Sequence, residues 1–120
     1  MGNNTIAKQS VSTASVENRA APRRKVLLTS KLIYDNGDVV LDCAIRDISA
    51  TGARITLAQK RSIPEDVFLL DLPNRMAYHA TVVSERASGF GLKFLETYKL
   101  AQITSPELRF LKRVWIAAAQ

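Results

Sequence analysis

Asn36-Gly37, set between two apolar runs, constrains this chain more than any other pair of residues. Both residues tolerate positive φ, and a tight connection of that kind twists as two antiparallel strands require. The run before it, KVLLTSKLIY (25–34), is rich in β-branched and apolar residues. The run after it, VVLDCAIR, alternates. Val39, Leu41, Cys43 and Ile45 fall on one face, with Val40, Asp42, Ala44 and Arg46 on the other. Comparable runs follow in ARITLA, DVFLLDL, AYHATVVSE and GFGLKFL, with turn residues at Pro73-Asn74 and near Ala87-Ser88-Gly89. The links are too short for crossover helices, so the strands, roughly six of them, are antiparallel.

At the C-terminus the period changes. Ser105-Pro106-Glu107 offers a capping hydroxyl, a first-turn proline and an acid at the positive end of a helix. Leu108, Leu111, Trp115 and Ala118 keep a helical rhythm, widened by Phe110 and Val114, while Arg109, Lys112 and Arg113 form a wet face. The fold expected is mainly β, a six-stranded antiparallel β-barrel with a C-terminal α-helix against one opening. Three parts follow: a flexible N-terminal tail (1–16), poor in apolar residues, a barrel domain with a basic arm (17–104), and the helix (105–119).

A length of 120 residues suits one domain with one core. No apolar run reaches transmembrane length, and the N-terminus lacks a signal peptide's charge and apolar core. With Cys43 the sole cysteine, no internal disulfide can form, and a cytoplasmic location with no membrane association is expected. Seventeen Lys and Arg against eleven Asp and Glu give +6, which favours an anionic partner: RNA, a nucleotide or an acidic protein.

Catalytic chemistry finds little footing. One His and one Cys do not make a zinc site. Cys43 and His79 could formally pair as nucleophile and base, but Cys43 lies on an apolar strand face where a thiol serves as a small hydrophobe. No P-loop and no GxGxxG fingerprint is present. The chain reads as a binder, not an enzyme, with no metal and no cofactor.

The segment RDISATGAR (46–54) breaks the alternation with Asp47, Ser49 and Gly52. In an extended chain Asp47 and Ser49 project to one side and can accept hydrogen bonds from N–H donors such as a guanine edge. Gly52 allows positive φ or a close approach to the backbone. A strand-to-strand loop in which Asp47 and Ser49 bond nearby amides is the structural alternative. Upstream, Arg19 and Arg23 stand four residues apart in ENRAAPRRK, and arginine forks match phosphate oxygens and guanine O6/N7.

Taken as an ordered pair, R19-A-A-P-R23 and D47-I-S49-A-T-G52 resemble the RxxxR and [DN]xSxxG pattern of the PilZ domain family, and Gly91-Leu92-Lys93-Phe94 resembles its final strand. The resemblance covers about residues 18–95. It implies a β-barrel that binds cyclic di-GMP. Arg19 and Arg23 would grip phosphates and guanine Hoogsteen edges, with Arg24 adding a contact. Asp47 and Ser49 would hold a guanine edge, and Gly52 would shape the surface. The implied role is a receptor or adaptor that changes conformation on binding and signals to a downstream effector protein, controlling motility or surface-associated behaviour. Whether one ligand or an intercalated pair binds stays open. Two other readings stay beside it: a small basic barrel holding single-stranded nucleic acid, for which no aromatic platform is evident, and a protein-interaction module that needs no ligand.

Overall fold

The computed structural model describes residues 22–119. Six strands form a closed antiparallel barrel: β1 (Arg24–Tyr34), β2 (Val39–Ile48), β3 (Gly52–Leu57), β4 (Asp66–Asp71), β5 (Met76–Arg86) and β6 (Gly89–Lys99). Around the ring the order is β1-β2-β3-β6-β5-β4, closed by pairing of β1 with β4. The Asn36-Gly37 signal marks the β1–β2 hairpin, where Asp35, Asn36 and Gly37 all take positive φ.

Alternation places the interior. Leu32, Cys43, Ile45, Ile55, Leu69 and Leu92 point into the barrel with other buried residues. Strand β2 runs through Asp47 and Ile48, so the interruption after it is only residues 49–51, and β6 continues to Lys99. An irregularity at Arg46 shapes the end of β2. Ile45 pairs with Ile55 and Asp47 with Arg54, leaving Arg46 as an extra residue. The bulge keeps both Ile45 and Ile48 in the interior cluster and turns Asp47 toward the outer face, opposite Arg54.

The α-helix α1 (Arg109–Ala118) follows a 3-10 turn over Pro106–Leu108. Ser105 caps no amide there; its hydroxyl donates instead to the Glu107 carboxylate. Nor does the helix cover an opening of the barrel. Phe110, Leu111 and Val114 pack with Ile33, Leu70 and Ala77, which are the outward neighbours of the interior residues Leu32, Leu69 and Tyr78. The helix therefore lies on the outer wall made by β1, β4 and β5, because that is where the strands present apolar residues on both faces. Phe110 also meets Phe68 edge-on at 5.3 Å between ring centroids. Among the described residues no helix is long and apolar enough to cross a membrane.

Candidate ligand-binding site

The N-terminal end of β1 and the C-terminal end of β2 come together at one end of the barrel, since Arg24 pairs with Ile48 and Lys25 with Asp47. This pairing joins the two polar segments of the sequence. Arg23, just before β1, donates from Nη1 to Asp47 Oδ1 at 2.9 Å. Arg54, across from Asp47 on β3, donates from Nε to Oδ2 at 2.9 Å. The carboxylate is buried, with Asp47 6% exposed, and each oxygen faces a guanidinium. Charge-assisted bonds of this kind offset the cost of taking a carboxylate out of water.

Ser49 organises the short connection to β3. Its amide donates to the Gly52 carbonyl at 2.8 Å, and its hydroxyl accepts from the Thr51 amide at 3.2 Å. Phe94 N–H donates to the Thr51 carbonyl at 2.8 Å, tying the loop to β6. Gly52 shows why a side chain is excluded there. A Cβ would stand 2.4 Å from the Leu92 carbonyl oxygen, so the close approach is by the neighbouring strand. Its φ is not in the left-handed region, which among glycines is found at Gly37 and Gly89.

Beside these groups lies an open cavity of about 460 Å³. Arg23, Arg24 and Ser49 line one side, and Asp71, Asn74 and Tyr78 line the other. Asp47 and Gly52 stand behind that lining rather than in it. Arg19 lies outside the described residues. The two sequence segments meet at Arg23, Arg24, Asp47, Ser49 and Gly52, and the rest of the lining comes from the end of β4, the β4–β5 turn and the start of β5. Asp71, fully buried, accepts from the Asn74 amide at 3.2 Å and from Asn74 Nδ2 at 2.8 Å. Burial and then the Asp71 carboxylate push the Tyr78 phenol above its usual range, so it enters the site as a neutral donor.

The thiol and the imidazole do not meet. Cys43 is in the interior cluster, with its Sγ 2.9 Å from Ser30 Oγ, whereas His79 stacks on Phe68 on the outer wall and bonds Asp66 at 2.7 Å. Burial pushes the Cys43 thiol up to about 11. A neutral, buried thiol is a poor nucleophile. Folded protein at pH 8 is expected to react with a thiol reagent such as DTNB only as fast as it unfolds, and fully once denatured. An immediate stoichiometric reaction of the folded state would contradict this placement. Because the folded value lies above the ordinary one, the thiol's contribution to stability is intact below pH 9.0 and is lost as the pH rises toward about 11. Among the described residues no group of three or more His, Cys, Asp or Glu could hold a metal ion.

No curated protein matches the chain. The sequence profile of the PilZ domain matches residues 17–104, a span that holds the arginine arm, the whole barrel and both halves of the polar motif. The chain belongs to the PilZ domain family.

Proposed function

We propose that the protein is a cyclic di-GMP receptor that works as an adaptor, without catalysis. The observation that carries this reading is the convergence of Arg23, Arg24 and Ser49 on one open cavity, with Asp47 holding Arg23 from behind. The ligand carries two phosphates and two guanines. Guanidinium forks suit both, by bidentate contact with phosphate oxygens or with guanine O6 and N7. Membership of a family of cyclic di-GMP-binding domains supports the same assignment. Arg23, at the start of the barrel, grips the bound ligand, and the surface changed by binding is read by an effector protein, with motility or surface behaviour as the output. A cytoplasmic site of action goes with this role.

The nucleic-acid reading fares less well. Single-strand binders stack bases on exposed aromatics. Here Phe90 packs in the barrel interior, and Phe94 packs against the same cluster, stacked on Tyr78 at 4.0 Å.

Isothermal titration with cyclic di-GMP, beside a GTP control, tests the proposal. Saturable binding selective for the cyclic dinucleotide is expected, and the molar ratio gives the stoichiometry. Ser49→Ala should weaken it by ~0.5–1.5 kcal/mol, or about two- to tenfold. A flat titration with folded wild-type protein would overturn the nucleotide assignment.

A further inference from the structure

The helix α1 separates its anchors from its charges. Phe110, Leu111 and Val114 are buried against the barrel wall, and Arg109, Lys112, Arg113 and Ile116 lie on the opposite side. Those four follow the i, i+3, i+4, i+7 spacing of a single helical stripe. With the stretch 103–105 they line an open groove of about 620 Å³, larger than the cavity of about 460 Å³ at Arg23. Among the described residues no carboxylate and no aromatic ring lines it. Its apolar share comes from buried Ile103 and from Ile116, which is 58% exposed.

Helix stability does not account for these charges. Cations are disfavoured at the positive end of a helix, yet Arg109 is the first residue of α1, which has no acid in its first turn and no base in its last. Neither do ion pairs account for them. Arg109, Lys112 and Arg113 form none among the described residues, and the nearby Glu107 carboxylate accepts from Ser105 instead. Three uncompensated cations beside an exposed isoleucine suit an occupant that is both acidic and apolar.

Several occupants fail on charge or shape. Residues 1–21 carry Lys8 and Arg19 against Glu17, and a second copy of a chain at +6 would bring like charge. A bilayer would need the apolar face of α1, which the barrel already covers. Single-stranded nucleic acid would need aromatic rings to stack on. We propose that this groove docks the effector protein through an acidic segment of it, whose carboxylates meet Arg109, Lys112 and Arg113 and whose apolar side chains meet Ile103 and Ile116. This deepens the adaptor reading and rests on it, but the groove shares no lining residue with the ligand cavity and can be tested without nucleotide.

Trp115, the only tryptophan of the chain, stands beside Ile116 and lines the neighbouring cavity, so its fluorescence reports on the groove. The probe is a synthetic amphipathic peptide with leucines on one face and glutamates on the other. Saturable binding is expected, mapped by NMR to the amides of 103–116 and weakened by added salt. Lys112→Glu with Arg113→Glu should weaken it about tenfold or more. A peptide with lysines for glutamates should not bind, and one with serines for leucines should bind about tenfold more weakly. Arg109→Glu should weaken binding about three- to tenfold while holding or raising the melting temperature, since an acid suits that end of the helix. Loss of docking is thereby separated from loss of fold. Equal binding of the acidic and basic peptides, no binding, or shifts centred on the Arg23 cavity would overturn the proposal. So would adhesion to phosphatidylglycerol-containing vesicles through the same cations without peptide binding, which would make the face a membrane surface. Self-association in light scattering that Lys112→Glu abolishes would make it a dimer face instead. Peptide binding beside a flat cyclic di-GMP titration would support the groove and overturn the nucleotide assignment, and the reverse pattern would overturn the groove alone.

Discussion

Gly52→Val should destabilise the barrel by ~1–3 kcal/mol through overpacking, lowering the melting temperature by about 5–20 °C. The would-be Cβ stands 2.4 Å from the Leu92 carbonyl oxygen, and its next neighbours, Leu92 C and Lys93 Cα, are also backbone, at 3.5 and 3.6 Å. No side chain can swing aside to make room. Relief requires β3 to move away from β6 where Gly52 pairs with Lys93 and Ala53 with Leu92, and interiors packed at crystal-like density transmit such a shift. Binding should fall with it, since the Ser49 loop is tied to the same strand through Phe94. A thermal melt followed by circular dichroism checks this. An unchanged melt with lost binding would place Gly52 against the ligand instead of against β6.

Arg23→Ala should remove a charge-assisted contact worth ~1.5–3 kcal/mol, reducing affinity for cyclic di-GMP by about ten- to a hundredfold. The melt should change little by comparison, because Arg23 is half exposed and Arg54 continues to neutralise Asp47. Arg23→Lys should recover only part of the loss, since a point charge cannot present two parallel donors. Added salt should weaken the wild type more than the alanine variant. Isothermal titration at two ionic strengths checks both statements. Unchanged affinity in Arg23→Ala would remove the arginine arm from the site.

Much of this architecture was legible in residue order because it is local. Asn36-Gly37 marks a turn by its own backbone tolerance, and the period-2 pattern of Val39, Leu41, Cys43 and Ile45 names an interior face without knowledge of any partner. The helical stripe of α1 was equally plain, but a stripe says only that something covers it. That its bed is the outer wall at Ile33, Leu70 and Ala77 depends on how three strands pack. Ser105 carries the composition of a cap, yet Glu107 lies closer to hand and takes its hydroxyl.

The site divides in the same way. Arg23, Arg24, Asp47, Ser49 and Gly52 belong to two short segments whose spacing is a pattern in itself, and β1–β2 pairing brings them together. Arg54 was visible as a flanking charge, but its bond to Asp47 follows from the bulge at Arg46, which sets them opposite one another. Asn74 read as a turn residue and Asp71 and Tyr78 as strand residues, none of them as part of a site, because elements far along the chain come to line a cavity beside Arg23 only when the ring closes through β1 and β4.

The wall that carries the helix is apolar on both sides, with Leu32 beside Ile33, Val67 to Leu70 unbroken, and Ala77 beside Tyr78. Strands usually proofread their own alignment, since a slip by one residue throws every apolar side chain into water. Along β1 and β4 that check is weak: a slipped strand would still bury leucine on either side. Alignment there falls to the turns. The three positive-φ residues at 35–37 fix the start of β2 relative to β1, and the paired bonds from Asn74 to Asp71 fix β5 relative to β4. These two loops do for the frame of the barrel what alternation does elsewhere.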